Sequence, residues 1–285
     1  MREKTTLDKI LFLDIETVPQ TYQFKDLEEN VQSLFEAKTR FYHSEEKSYE
    51  QLYTERSGIY AEFGKIVCIS VGYLNDQRTG RQITIKSFVH EDEETLLSKF
   101  AKFISDDDFY LLCGHNAKEF DFPYICRRML INGLPLPRML DIAGKKPWEI
   151  AHIDTMELWK FGDYKAYTSL ALLCHVFGIP TSKDDISGAD VARVYYEEEN
   201  VNRIRQYCEK DVVALIQLYL RMHGEPMVDE GEVHTIKWKN PDSIEVFQYV
   251  VIWKLLDKYS LFWSYFLLYF YNSFTCCSAK SCLDV

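Results

Sequence analysis

The stretch ILFLDIET, Ile10 to Thr17, constrains this chain more than any other. Large apolar residues fill most of it and an acid-x-acid pair closes it, which reads as a strand buried on both faces. Side chains two apart on a strand leave on the same side. Asp14 and Glu16 are therefore expected together on one face, at the end of a hydrophobic strand. Carboxylates that close repel, and one takes a raised pKa unless a cation compensates. A hard, oxygen-preferring ion such as Mg²⁺ or Mn²⁺ is the simplest compensation. The other reading is that the pair marks where the strand leaves the core for water.

The chain has 285 residues, enough for one large domain or two small ones. Apolar residues at 47% and charged residues at 27% are the values of a globular chain. Lys and Arg number 33 against 44 Asp and Glu, a net charge of −11, which excludes a protein that coats nucleic acid through global positive charge. A polyanionic partner would have to be met by a local basic surface or by metal ions. The 8 cysteines form no CxxC pair, so a zinc-binding module has no support. The first five sit singly among apolar residues and read as small core residues in a reducing compartment. The N-terminal stretch has no secretory pattern, so the cytoplasm is the expected location.

Beyond Pro19, residues 20–58 are polar and tyrosine-rich, and Leu27, Val31, Leu34 and Phe35 at helical spacing predict a helical insertion. Strands are expected from Lys65 to Tyr73 and from Gln82 to Val89, joined by a turn over Asn75 to Gly80 as an antiparallel hairpin. An amphipathic helix over Glu91 to Ile104 follows, then a short strand from Phe109 to Cys113. A helix should follow residues 114–121, and a fifth strand runs from Ala151 to Met156. Helices are expected over Thr168 to Phe177, after Ile186, and over Glu197 to His223. Three strands followed by alternating helices and strands give an α/β architecture, a mixed sheet with helices on its faces.

Two further acids stand out. Asp121 lies just past a strand end in NAKEFD. Asp211 lies in YCEKD on the long helix, one turn after Tyr207 and on the same face. Glu209 and Lys210 should point to solvent. Tyr207 alone is equally a core tyrosine with a satisfied hydroxyl.

Asp14-x-Glu16, Asn116-x-x-x-Phe120-Asp121 and Tyr207-x-x-x-Asp211 together resemble the three motifs of the DEDD 3′→5′ exonucleases, in the same order. The position five before the last acid, His in one branch of that family, is Gln206 here, so the chain resembles the tyrosine branch. FLDIETVP, EFGKIVCISVG and HIDTM are similar to stand-alone bacterial exonucleases related to the proofreading domain of family-B DNA polymerases. The resemblance covers roughly residues 10–240. It implies a ribonuclease H-like fold with a mixed five-stranded sheet, in a domain over residues 1–240.

It also implies a function: metal-dependent cleavage at the 3′ end of DNA, releasing nucleoside monophosphates through two Mg²⁺ or Mn²⁺ ions. Asp14, Glu16, Asp121 and Asp211 would hold the ions, with Asp14 bridging both, and Tyr207 would orient the attacking water. Thr17, Val18, Asn116 and Phe120 would meet the terminal nucleotide; Phe120 could equally pack its helix on the sheet. Single-stranded DNA or a DNA 3′ end is the expected partner, with RNA an alternative substrate and a polymerase or repair partner open. A non-catalytic nucleic-acid-binding module is the competing class. Arg127, Arg128, Lys145 and Lys146 form either a phosphate track or a solvated face.

Residues 241–285 depart from the family pattern. Residues 259–279 carry no formal charge, are crowded with aromatics and are long enough to span a bilayer. A membrane anchor, a helix that packs on the domain or a partner, and a tail without evolved function remain the three readings.

Overall fold

The computed structural model describes residues 7–236, apart from 78–79, 107–108, 110, 164, 166 and 181–185. The expectations for residues 241–285 lie outside the described residues, as does part of the turn before Gly80. The chain opens with strand β1 (Ile10–Pro19) and helices α1 (Glu29–Thr39) and α2 (Tyr49–Arg56). Strands β2 (Gly64–Gln77) and β3 (Gly80–Phe88), helix α3 (Glu93–Asp106), strand β4 (Leu111–Gly114) and helix α4 (Asp121–Ile131) follow. Then come β5 (Ile153–Asp154), α5 (Thr155–Lys160), α6 (Leu170–Phe177), α7 (Val191–Tyr196), α8 (Val201–Met222) and β6 (Val233–Thr235).

Among the described residues the sheet has six strands, not five, in the order β5-β4-β1-β2-β3-β6. Only β2 runs against the others, because its two pairings, with β1 and β3, are the antiparallel ones. The extra strand β6 pairs in parallel with Ile83 to Ile85. Its three residues are too few to show alternation in sequence. The expected fifth strand is shorter than Ala151 to Met156 because the Asp154 side chain accepts from the Met156 and Glu157 amides, which starts α5 at once.

The insertion after β1 is helical, as its spacing predicts. Phe24, Leu27, Phe35, Leu52, Tyr53 and Phe63 form its own small core. Leu34, expected inward, is exposed. Arg128 is no part of a phosphate track: it is buried and ion-paired with Glu93, and its Nη1 donates to the Ala61 carbonyl at 2.8 Å. Glu93 also accepts from the Ile66 amide at 2.7 Å, so one carboxylate ties α3, α4 and β2 together.

Helices cover both faces, and β1 feeds both. Leu11, Leu13 and Ile15 pack with Leu96 and Phe100 of α3 and Phe122 and Ile125 of α4. Ile10 and Phe12 pack with Val212, Ile216 and Tyr219 of α8. By the two-residue period Asp14 and Glu16 continue the α8-facing series. Gly72 opposite Phe12 lets α8 come close. A Cβ there would stand 2.8 Å from each of Val212 Cγ1, Ile216 Cδ1 and Ile85 Cδ1. Gly72→Ala is therefore expected to lower stability by about 1–3 kcal/mol through overpacking. Urea unfolding reads this, and a loss below about 0.5 kcal/mol, the scale of ordinary surface changes, would contradict the close seating of α8.

Candidate active site

The site lies where β4 ends and β1 continues. The β1–β4 pairing stops at Phe12 opposite Cys113. At Gly114 the chain turns sharply, since a Cβ there would overlap the Ala117 side chain, and Asn116 takes a left-handed φ of 62°. Asp154 holds this turn, accepting from the Asn116 amide at 2.9 Å and the Lys118 amide at 3.1 Å. The turn delivers Asp121 to the first position of α4. There its Oδ1 accepts from the Ile15 amide at 3.2 Å. One carboxylate thus satisfies β1 where it has no β4 partner and brings Asp121 beside Asp14 and Glu16.

From the opposite side α8 supplies Tyr207, Cys208 and Asp211. Asn200 caps the helix by accepting from the Arg203 amide at 3.1 Å. Ile204, Cys208, Val212, Leu215 and Ile216 are buried, and this stripe fixes the helix rotation. Tyr207 and Asp211 flank the stripe one turn apart, and Asp211 is the foremost charged neighbour of the Tyr207 hydroxyl. Glu209 is not a solvent residue as expected: Ser87 donates to it at 2.7 Å, and it is paired with Arg205.

The electrostatics are those of crowded acids. Burial pushes Asp14 well above the ordinary carboxylate range, and the charges of Asp121 and Asp211 push it further. Glu16 moves the same way, by burial first and then by Asp14. Asp121 rises to about 7, chiefly through burial, with the Ile15 amide opposing the shift. Burial and the neighbouring Asp211, Glu16 and Asp14 raise Tyr207, which stays a neutral hydroxyl at neutral pH. Glu16 is 7% exposed and accepts no hydrogen bond among the described residues.

All five residues expected to be catalytic therefore act on one another within a single site. Its donor set of buried and half-buried carboxylates fits divalent cations. The four residues expected at the nucleotide differ in availability. Thr17 is partly buried. The Val18 side chain is fully buried among Cys68, Val191 and Val194, so it offers a nucleotide no side-chain surface. Asn116 is partly exposed. Phe120 packs against the core and stands 5.3 Å from the Tyr124 ring. His115 is held between Thr155 Oγ1 at 2.8 Å and the Thr168 carbonyl at 2.9 Å, a structural role. Arg127, Lys145 and Lys146 are exposed.

Sequence reasoning missed Cys208, whose thiol lies 3.4 Å from the Asp14 carbonyl oxygen and 3.5 Å from Asp14 Oδ2. The available signal was its place three residues before Asp211, a spacing that shares a helix face. It also missed Asp154 as the holder of the motif turn.

An α/β sheet with acids gathered at the end of one of its inner strands is an arrangement that can hold divalent cations. Residues 59–240 match the family described as a predicted 3′-5′ exonuclease related to the exonuclease domain of PolB, and the chain belongs to that family. Its α/β fold, a mixed sheet with helices on its faces, is the class the sequence implied. DNA polymerase 1 of Pyrococcus abyssi is 24% identical over 208 residues, which cover 62% of this chain and 27% of that one. A DNA polymerase of Thermococcus aggregans is 25% identical over 177 residues, 55% of this chain and 10% of its own length. The chain thus spans about a quarter or less of these curated relatives. The solved family B DNA polymerase of Pyrobaculum calidifontis aligns with a TM-score of 0.47 at 18% identity, covering 74% of this chain and 24% of that one. No helix among the described residues is long and apolar enough to cross a membrane.

The pH dependence of stability follows from Asp121. A folded pKa of about 7 against an ordinary 3.8 means the folded state keeps a proton that the unfolded state releases. Asp121's contribution should then make the metal-free protein lose stability as pH rises from about 4 to 7. Asp121→Asn keeps an acceptor for Ile15 and removes the titration, so its melting temperature in EDTA should fall less across that window. Parallel curves for the two proteins would contradict the burial of an ionisable Asp121.

Proposed function

We propose that this protein is a metal-dependent 3′→5′ exodeoxyribonuclease of the cytoplasm. The observation that carries the reading is the convergence of Asp14, Glu16, Asp121 and Asp211. Two Mg²⁺ or Mn²⁺ ions held by these four residues would supply charge neutralisation, an activated water and a stabilised leaving oxygen at the scissile phosphate.

The chain's own residues do the rest. Tyr207 has Asp211, Glu16 and Asp14 as charged neighbours, which sets its hydroxyl at the acid cluster, where it orients the attacking water by a hydrogen bond. As a neutral phenol it adds no charge against the incoming phosphate. Asp121, fixed by the Ile15 amide, sets the side of the site opposite α8. Thr17, Asn116, Phe120 and the backbone at Val18 border the acids and receive the terminal nucleotide. A single-stranded DNA end is the substrate the family relationship supports best, with nucleoside monophosphates as products. The net charge of −11 fits a protein that meets phosphate through metal ions rather than a basic face. Residues 1–240 are the proposed catalytic domain, and a polymerase or repair complex is the class of partner that would present such ends.

A time course on 5′-labelled single-stranded DNA and matched RNA tests this. With Mn²⁺ the DNA should shorten in a ladder from its 3′ end. EDTA should abolish the ladder, and Asp14→Ala should slow it by about 10²–10³-fold or more, the scale of losing one electrostatic group at a reacting centre. A ladder on RNA alone would replace the substrate assignment. No ladder on either strand, with folded protein and bound Mn²⁺, would overturn the nuclease reading.

A further inference from the structure

The nuclease reading leaves Cys208 without a role, yet its thiol faces the acids. One ligand atom each from Asp14, Glu16 and Cys208 can be chosen so that all lie within 4.8 Å of one another. Asp14 and Glu16 come from β1 and Cys208 from α8, so the grouping is made by the fold and not by sequence proximity. Glu16 is the independent sign of a ligand, a side chain more than nine-tenths buried whose carboxylate accepts no hydrogen bond among the described residues. Oxygen and sulfur ligands at about 2.0–2.3 Å from an ion stand roughly 3–4 Å apart in a tetrahedron, so a slight contraction of this triangle suffices. The partly exposed Asp14 leaves a way in.

The donor set decides which ion is favoured. Carboxylate oxygens alone suit Mg²⁺ and Mn²⁺, whereas a thiolate adds a soft ligand that those ions use poorly. We propose that Asp14, Glu16 and Cys208 form a mixed oxygen–sulfur site that binds a thiophilic divalent cation, of the Zn²⁺ or Cd²⁺ class, more tightly than Mg²⁺. On binding, the Cys208 S–H proton passes to solvent and the thiolate bonds to the ion, with no change of oxidation state. The site overlaps the proposed hydrolytic one through Asp14 and Glu16. Resting on that reading, such an ion acts as an inhibitor that Mg²⁺ displaces only in large excess. Cys68, opposite Glu16 in the β1–β2 register, is not one of the three grouped ligands.

The test uses the full-length chain with Cys276, Cys277 and Cys282 changed to serine, since those thiols would bind the probe themselves. Titration with Cd²⁺ alone should give an ultraviolet thiolate-to-metal charge-transfer band that saturates at one equivalent. Cys68→Ser should keep the band and Cys208→Ser should lose it. No band, or an unchanged band in Cys208→Ser, overturns the proposal. If Cys208→Ser does not fold, X-ray absorption at the cadmium edge of the parent chain decides. One sulfur among oxygen neighbours supports the site; an all-oxygen or multi-sulfur shell overturns it. Nuclease activity with Mg²⁺ and no Cd²⁺ is read in parallel, so absence of a ladder and absence of a band remain separate failures.

Discussion

Repulsion between buried carboxylates is the interaction to which the rest of this fold answers. Two like charges about 4 Å apart repel by roughly 4 kcal/mol at an effective dielectric near 20. An ordinary hydrogen bond returns about 1 kcal/mol. The Cys208 thiol at Asp14 and the Ile15 amide at Asp121 therefore cannot offset the assembly of Asp14, Glu16, Asp121 and Asp211. Protons or cations must, and the upward shifts of three of these acids state the same need in pH terms.

The scaffold is arranged to impose that crowding and survive it. Apolar side chains of β1 serve both sheet faces, which anchors the strand before it presents its acids. Gly72 lets α8 approach closely enough for Tyr207 and Asp211 to reach the same point. Asp154 organises the turn after β4, so the chain leaves the sheet and returns as α4 with Asp121 at its start. The buried Glu93–Arg128 pair fastens α4 to α3 and β2, away from the acids. None of these four supports touches substrate in the proposed mechanism, yet each fixes where a carboxylate stands.

Much of this was legible in the sequence because it follows local periods. Two-residue alternation put Asp14 and Glu16 on one face, and the four-residue step put Tyr207 and Asp211 on one side of α8. The position of Asp121 was legible as the start of a helix after a strand. What escaped reading depends on contacts between distant segments. Arg128 looks like a surface cation until Glu93 meets it. Glu209 looks solvated until Ser87 of β3 lies beneath it. Cys208 fits a core stripe, and only the seating of α8 on β1 shows that its sulfur also meets Asp14. Strand β6 carries too few residues to show a period and exists by pairing with β3.

Anomalous diffraction from crystals soaked in Mn²⁺ at neutral pH tests the central claim, that cations stabilise this acid cluster. Two peaks roughly 4 Å apart, one within bonding distance of both Asp14 and Glu16, are the predicted result. A map with no peak beside either residue would contradict it and leave the crowded carboxylates to be held by protons alone.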